Sequence, residues 1–178
     1  MWNVAMRDSE RDIIPTCADE GMGIVPYGVL NQGRFQTEEG FKKREKNNLR
    51  RNFIPLSDHD KKISKSLETL ASKNNCQLLD VALAYVRSKA PYVFPLVGAR
   101  TLGHIQGSVG GLDASLTDEE MEEIDSAYPF DHGFPHTFLS GTLFSGEPAR
   151  GASAPGDVWL RKLLGKFEWV KKPRAIRH

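Results

Sequence analysis

Only two stretches of this sequence predict buried β-strands, and this scarcity constrains the fold more than any other feature. The stretches are Met22–Val25, closed by Pro26, and Tyr92–Val97, ended by Gly98. Both are apolar without polar alternation, which is typical of strands covered on both faces of a parallel sheet. Two strands cannot close a sheet on themselves, and each leaves an edge exposed. The pattern therefore predicts a portion of a larger α/β architecture.

Helical patterns surround these strands in the order helix, strand, helix, helix, strand, helix, helix. The last helix opens with a capping box, in which Thr117 is the N-cap and Glu120 is the third helical residue. Strands that alternate with helices favour parallel βα units. The predicted helices are Ser9–Glu20 (or from about Ile14, because Pro15 weakens the first turns), Asp58–Lys73, Leu78 up to Pro91, Thr101–Val109 and Thr117–Tyr128.

Composition excludes several classes of protein. The 178 residues carry a formal net charge of +1, with 39% hydrophobic and 26% charged residues, as expected for a soluble globular protein. No apolar run approaches the roughly 18 residues of a membrane span, and no secretory signal is visible at the start. Cys17 and Cys76 have no CxxC spacing, so neither a zinc site nor a disulfide framework is expected. The near-neutral charge argues against nucleic-acid binding, and we expect a cytoplasmic protein.

Two further regions differ from the helical core. Residues 26–56 form too long a connection to be idle, and we interpret them as a functional loop. Residues 139–157 are a predicted linker, and 158–178 form a predicted basic amphipathic tail helix with seven Lys or Arg and one Glu. The simplest interpretation is that the tail helix docks on its own domain or on a partner. Contact with a membrane surface or RNA is the alternative.

The junction after the first strand is a candidate binding site. Tyr27 is followed by a turn that includes Gly28 and Gly33. An aromatic ring at the end of a strand can stack on a flat ligand, while glycines allow the backbone to approach closely. An ordinary tyrosine-containing turn is the alternative interpretation.

The junction after the second strand combines Gly98 and Arg100 with the start of a helix at Thr101. Free N–H groups, the helix dipole and a guanidinium would then point to one place, as a phosphate requires. A glycine-assisted turn with a solvated arginine remains the alternative. The sequence lacks both the GxGxxG fingerprint and the GxxxxGK[ST] loop, so neither the Rossmann nor the P-loop interpretation has support.

Other chemical patterns are weaker. Asp131, His132 and His136 have spacing like that of metal ligands, but without further ligands nearby we expect no metal site. The sequence has no GxSxG elbow, and neither cysteine lies in a nucleophile motif. The acidic residues Asp118, Glu119, Glu120, Glu122 and Glu123 are interpreted as a capped, solvated helix face.

A family resemblance extends in order through residues 2–138. The residues that match are Trp2-Asn3, Arg7-Asp8, Glu10 to Pro15, Gly21 to Pro26, Gly33 to Phe35, Ala82 to Ala90, Val93 to Gly98, Arg100, His104, Pro129 to Asp131 and Gly133 to Pro135. This pattern resembles the C-terminal half of an aldo-keto reductase, within the fungal group of aryl-alcohol dehydrogenases and norsolorinic acid reductases. The resemblance implies the C-terminal portion of a (β/α)8 barrel over 1–138, followed by an irregular tail with the C-terminal helix.

The resemblance also implies a cofactor, NADP(H), and a reaction, the reduction of aromatic aldehydes or polyketide ketones in fungal secondary metabolism. The ring of Tyr27 would stack on the nicotinamide. The turn from Gly28 to Gly33 would follow the pyrophosphate. The turn from Val97 to Arg100 and the helix after it would hold the 2′-phosphate and adenosine. The cofactor-binding residues implied in this way are Tyr27, Gly28, Val29, Leu30, Gln32, Gly33, Val97, Gly98, Ala99, Arg100, His104 and Ser108.

The sequence departs from the family in two respects. Gly107 and Ser108 stand where the family usually has Gln or Glu followed by Asn, which contact the adenine. The catalytic Asp, Tyr, Lys and His of the family belong to the first half of the barrel, so we expect no catalytic residue in this chain. Three hypotheses therefore stay open. The chain is part of a complete reductase, or it is a non-catalytic half-barrel that binds NADP(H) or pairs with another half-barrel or a second copy. The third is that it is an interaction protein that acts through its tail.

Overall fold

A computed structural model describes residues 1–47, 56–133 and 174–175. Its contacts divide the chain into two compact units, Met1–Pro129 with Arg174–His178 and Phe130–Pro173. In the first unit, short 3₁₀ turns cover Asp8–Glu10, Asn31–Gly33 and Gly111–Asp113. Its α-helices are α1 (Ile13–Asp19), α2 (Glu38–Asn47), α3 (Asp58–Lys73), α4 (Leu78–Lys89), α5 (Leu102–Gly110) and α6 (Asp118–Ala127).

The predicted helices α3 to α6 are confirmed to within a few residues. The Ser57 hydroxyl accepts a hydrogen bond from the N–H of Asp60, and the Asp60 carboxylate accepts one from the N–H of Ser57. Helix α3 therefore begins at a capping box. The predicted capping box of Thr117 and Glu120 is also present at the start of α6. Local sequence signals of this kind do not depend on distant parts of the chain, which is why they predicted these helices well.

The main core lies between three helices. In α3, α4 and α6 the apolar residues recur at helical spacing, and these helices pack against one another. Tyr85 and Val86 of α4 and Leu67 and Leu70 of α3 are completely buried. Ile24 and Val93 of the two extended segments pack against this core.

Two predictions about helices were wrong. Residues 26–56 were interpreted as a loop, but they contain α2, whose exposed face carries Glu38–Lys42 and Glu39–Lys43 ion pairs at 3.2 and 3.8 Å. Such pairs one turn apart stabilise a helix. The acidic face of α6 is only partly solvated, because Glu120 is buried, and its carboxylate accepts a hydrogen bond of 2.8 Å from Asn74.

The two predicted strands correspond to short extended segments, residues 22–26 and 93–97, joined by one isolated parallel bridge between Ile24 and Val93, and Tyr92 precedes the second segment with a φ of 55°. The N–H of Ile24 donates to the carbonyl of Tyr92 (2.9 Å), and the N–H of Phe94 donates to the carbonyl of Ile24 (2.8 Å). The parallel pairing is as predicted. The expected burial on both faces is wrong, because Val25 and Phe94 are 57% and 59% exposed.

Several predictions fall largely outside the described residues. These are the linker at 139–157 and most of the tail helix at 158–178, as well as His136. Within the tail, Arg174 lies 3.7 Å from Asp118. In the second unit, the rings of Phe130 and His132 meet edge to face with their centroids 4.8 Å apart. None of the helices described is long and apolar enough to cross a membrane.

Candidate cofactor site

The two predicted junctions lie side by side. The N–H of Leu96 donates a hydrogen bond of 2.9 Å to the carbonyl of Pro26, so the segments are in register up to their C-terminal ends. Tyr27 directly follows Pro26, and Val97 directly follows Leu96. Both candidate turns therefore leave the paired segments at the same end, where barrel folds collect their ligands.

The first turn, residues 27–33, holds an exposed ring on a tightly folded backbone. The Tyr27 side chain is 58% exposed. Gly28 has φ +67°, and a Cβ there would lie 2.7 Å from Met1 Sδ, so the turn requires a glycine at this position. Asn31, Gln32 and Gly33 also have positive φ values of 49°, 55° and 75°. The backbone therefore makes a sharp turn immediately after Tyr27.

Side chains in this turn differ in accessibility. Val29 is 1% exposed and belongs to the core, and Leu30 is partly buried against it. Gln32 is exposed. Of these three residues, only Gln32 offers an exposed side chain to a ligand, so any contact of Val29 has to come from its backbone.

A buried hydrogen bond fixes the turn to α3. The Asn31 side chain is fully buried, and its Nδ2 donates to Asp60 Oδ1 at 2.9 Å. Burial by itself would raise the pKa of Asp60, but hydrogen bonds from the Ser57 N–H and hydroxyl and from Asn31 outweigh it and leave that pKa below its usual value. Sequence reasoning missed this contact, since the two residues are 29 positions apart.

The second turn leads into the N-terminus of α5. Gly98, Ala99 and Arg100 are exposed. The Thr101 hydroxyl caps α5 by accepting from the N–H of His104 (3.3 Å), and His104 Nδ1 accepts from the N–H of Arg100 (3.4 Å). An exposed guanidinium thus stands next to the positive end of a helix dipole, which is an arrangement that suits a phosphate.

Residue 108 already uses its donor within α5. The hydroxyl of Ser108 donates to the carbonyl of His104 at 2.9 Å. Its oxygen can still accept a hydrogen bond, for example from an amino group of a purine. Gly107 lies inside α5 and contributes no side chain, as the sequence comparison with the family anticipated.

An apolar face adjoins Tyr27 and was not predicted. On the side of the paired segments that carries Tyr27, the large side chains are more than half exposed, while Ile24 and Val93 on the other side pack against the core. We call this side the open face. Its large side chains are Val25, Tyr27, Tyr92, Phe94 and Leu96.

Tyr85 lies inside α4 and has charged neighbours. The structure places Asp125 Oδ1 2.5 Å from its hydroxyl and Lys89 Nζ 4.9 Å from its ring centre. Tyr85 is nevertheless 0% exposed, and burial, followed by the charges of Glu10 and Asp125, raises its pKa well above the usual value. A side chain closed off in this way cannot reach a substrate.

Metal and nucleophile chemistry have no visible basis in the described residues. No group of three His, Cys, Asp or Glu there could hold a metal ion. Burial, with the nearby charge of Asp80, raises the pKa of the Cys76 thiol, which disfavours the reactive thiolate.

The paired segments with their two turns agree with the fold of the family that the comparisons with known proteins identify. Residues 1–129 match the aldo/keto reductase family, and the chain belongs to that family. Its relatives include norsolorinic acid reductase B of Dothistroma septosporum, 59% identical over 99% of this chain and 45% of that protein. The enzyme of the same name from Aspergillus parasiticus is 55% identical over 99% of this chain and 47% of its own.

The resemblance to the fungal group is therefore confirmed. Aryl-alcohol dehydrogenase GME11368 of Pestalotiopsis microspora is a further relative, with 39% identity over 99% of this chain and 43% of that protein. The chain spans less than half the length of these relatives.

Solved structures support the fold. An aldo/keto reductase from Klebsiella pneumoniae, in complex with NADP and acetate, has a TM-score of 0.52 at 22% identity over 74% of this chain and 38% of that one. Glycerol dehydrogenase from Gluconobacter oxydans has a TM-score of 0.56 at 24% identity over 75% and 44% of the two chains. The described fold thus corresponds to part of an aldo-keto reductase (β/α)8 barrel.

Proposed function

We propose that this chain supplies the cofactor-binding half of an NADP(H)-dependent aldo-keto reductase that reduces aromatic aldehydes or polyketide ketones to alcohols. The observation that supports this most is the bond from the Leu96 N–H to the Pro26 carbonyl, 2.9 Å, which aligns the two turns at one end of the paired segments. The exposed ring of Tyr27 and the N-terminus of α5, which we propose binds a phosphate, then follow neighbouring segments. The names of the fungal relatives, norsolorinic acid reductase and aryl-alcohol dehydrogenase, agree with an oxidoreductase.

In this proposal each turn binds one part of the cofactor. The ring of Tyr27 stacks on the nicotinamide, and the backbone from Gly28 to Gly33 follows the pyrophosphate. The backbone of Val97, Gly98 and Ala99 approaches the adenosine phosphate, while Arg100 and His104 contribute charge and a hydrogen-bond donor. Ser108 accepts a hydrogen bond from the adenine.

NADPH, when bound, supplies a hydride to the carbonyl carbon, and the protein holds and orients it. The carbonyl oxygen also needs a proton, and Tyr85 cannot provide it because its side chain is sealed in the core. We assign the proton donor to the first half of the barrel, in line with the family resemblance. This chain contributes binding and orientation only.

Calorimetric titration of NADPH and NADH into the 178-residue chain tests the cofactor assignment. We expect tighter binding of NADPH than of NADH. Arg100→Ala should weaken NADPH binding by about 10- to 100-fold, the range for a charge-assisted hydrogen bond, and leave NADH binding unchanged. Arg11→Ala is the matched control, since Arg11 is also an accessible arginine but pairs with Asp8. Equal binding of NADPH by wild type and Arg100→Ala would contradict the assignment.

A second function, a non-catalytic half-barrel that binds NADP(H) or a protein partner, is favoured by the open face. Exposed apolar patches often mark interaction sites, and the edge of a strand pair can bind a further strand through its backbone groups. The natural partner is a chain that supplies further parallel strands, either another half-barrel or a second copy. Carbonyl-dependent oxidation of NADPH by the 178-residue chain alone would contradict both this function and the assignment of the proton donor to the other half.

A further inference from the structure

We propose that Asn3 is a positioning residue that holds the Tyr27 turn in its binding conformation through the carbonyl of Gly28; this inference rests on the proposed cofactor role of Tyr27. Asn3 is 0% exposed, although it is one of the most polar residues in the sequence. A buried amide needs all of its hydrogen-bonding groups to be paired. The partners that satisfy Asn3 connect two parts of the chain 25 residues apart.

The geometry at Gly28 explains why this contact controls the turn. Asn3 Nδ2 donates to the Gly28 carbonyl at 2.7 Å, and the N–H of Asn31 donates to the same carbonyl at 2.9 Å. Both lone pairs of that oxygen are thus used, one from inside the turn and one from outside it. The peptide that follows Gly28, with its positive φ, is thereby fixed in one orientation.

The preceding peptide is fixed from the same side. The N–H of Trp2 donates to the carbonyl of Tyr27 at 3.3 Å. Consecutive residues, Trp2 and Asn3, therefore hold the carbonyls of consecutive residues, Tyr27 and Gly28. The direction in which the Tyr27 ring leaves the backbone depends on these two contacts.

The anchor itself is rigid. Asn3 Oδ1 accepts from the N–H groups of Ala5 (2.8 Å) and Met6 (2.9 Å), which closes a tight turn around the side chain. The indole Nε1 of Trp2 donates to Glu10 Oε1 at 3.1 Å, and Glu10 is in turn held by Arg7 at 2.8 Å. Asn3 thus lies in a closed turn, and its neighbour Trp2 connects that turn to the buried Arg7–Glu10 ion pair.

The substitution Asn3→Ser separates this positioning role from local structure. A serine hydroxyl can still accept from the N–H of Met6, because Ser and Asn stabilise similar turns, but it is too short to reach the Gly28 carbonyl. Asn74→Ser is the matched control: Asn74 Nδ2 also donates a hydrogen bond of 2.8 Å, to Glu120, but on the α3–α6 side of the unit. Asn3→Asp serves as the second variant: it keeps the acceptor for Ala5 and Met6, loses the donor, and places a negative charge next to the Gly28 carbonyl, so it should also loosen the turn.

Hydrogen–deuterium exchange of the full chain measures the positioning directly. In Asn3→Ser we expect the backbone amides of residues 26–34, apart from Pro26, which has no N–H, to exchange about tenfold faster, and NADPH to bind about tenfold more weakly, which corresponds to about 1.4 kcal/mol. Exchange in α3 and α4 should stay as in the wild type. Asn74→Ser should leave both residues 26–34 and NADPH binding unchanged.

Three results overturn the inference. Unchanged exchange at 26–34 in both Asn3 variants shows that Asn3 does not hold the turn, and faster exchange across α3 and α4 as well shows a general role in stability. A looser turn with unchanged NADPH affinity shows that the held conformation does not serve the cofactor. If the wild type itself does not bind NADPH, the proposed function fails, while the exchange data still decide whether Asn3 holds the turn.

Discussion

Lys89 Nζ lies 2.6 Å from Asp125 Oδ2, and this contact joins the end of α4 to α6 inside a buried cluster of charges. Arg7 Nη1 lies 3.0 Å from the other oxygen of Asp125. Arg7, Glu10 and Lys89 have side chains only 6%, 3% and 7% exposed. Burial opposes the charge of Arg7, but its hydrogen bonds to Glu10 and the nearby carboxylates outweigh this and raise its pKa.

Removing the Asp125 carboxylate from this cluster should strongly destabilise the fold. We expect Asp125→Asn to lower the free energy of unfolding by about 2–4 kcal/mol, because it leaves two buried cations facing one remaining carboxylate. The lower part of the range reflects the 31% exposure of Asp125. Urea denaturation followed by circular dichroism measures the loss. Asp58→Asn, which affects an exposed ion pair of 3.8 Å with Lys61, should change little; a similar loss in both variants would refute the role of the cluster.

Asp60 gives the chain a pH-dependent element of stability. Its pKa in the folded chain is below the usual 3.8 because hydrogen bonds from Ser57 and Asn31 outweigh the opposing effect of burial. Its contribution is therefore complete above pH 3.8 and is lost as the pH falls through the folded pKa. We expect the difference in unfolding free energy between wild type and Asp60→Asn to be constant from about pH 5 to 7 and to shrink below about pH 4.

Urea denaturation at a series of pH values measures this difference. Ser57→Ala serves as a control, since it removes the hydroxyl that lies 2.8 Å from Asp60 Oδ2. The pH-dependent difference should be smaller in that background. A difference that grows on acidification would contradict the sign of the shift.

Two glycines near the end of α5 should respond in opposite directions to the same substitution. Gly107 lies within α5, and a Cβ there would meet nothing within 4 Å, so Gly107→Ala should stabilise the chain by about 0.5–1 kcal/mol. A Cβ on Gly111 would lie 2.7 Å from Asp80 Oδ1 and 3.3 Å from Asp80 Cα. Gly111→Ala should therefore destabilise it by about 1–3 kcal/mol.

Each glycine variant is a control for the other, because the change in chemistry is identical. Thermal unfolding at a fixed protein concentration distinguishes them by the sign of the shift in Tm. Asp80 also accepts from the N–H of Gln77 at 2.8 Å, so its displacement would loosen the start of α4. Equal Tm values for the two variants would show that Asp80 moves aside freely.

The sequence predicted those elements whose causes are local. Apolar residues at helical spacing identified α3, and the capping box of Thr117 and Glu120 identified α6, because both signals act within a few positions. The two extended segments were predicted as strands from pattern alone, and the described residues join them by a single parallel bridge. In α2, the run of charges at 38–47 was interpreted as a loop, although charges of opposite sign one turn apart stabilise a helix.

Contacts between distant residues could not be predicted in this way. The bonds from Asn3 to Gly28 and from Asn31 to Asp60 span 25 and 29 positions, and no local pattern identifies such partners. The burial of the two segments was also mispredicted: both lack polar alternation, as strands covered on both faces do, yet Val25 and Phe94 are exposed in the described part of the chain. Tyr27 and Arg100 were predicted as binding residues because their residue types are typical of binding turns, and the structure shows that both are exposed.

Phe94 tests whether the open face is an interaction surface. It is 59% exposed, and its ring Cε2 lies 3.3 Å from the position of a Cβ on Gly23, so the ring extends over the neighbouring segment. Phe94→Thr should change the free energy of unfolding by only about 0.5 kcal/mol, since the side chain is mostly exposed and threonine favours extended backbone. The same change should sharply reduce self-association in sedimentation velocity and binding of a fluorescent apolar dye.

The contrasting variant is Phe35→Thr, because Phe35 is an equally large ring that is only 1% exposed. It should lower the free energy of unfolding by about 3–5 kcal/mol, the usual cost of removing a buried phenylalanine. If Phe94→Thr were destabilised to the same degree, the open face would be part of the folded core. If instead Phe94→Thr kept both its stability and its self-association, the partner would have to bind elsewhere, since an apolar docking face loses affinity when its central ring is removed.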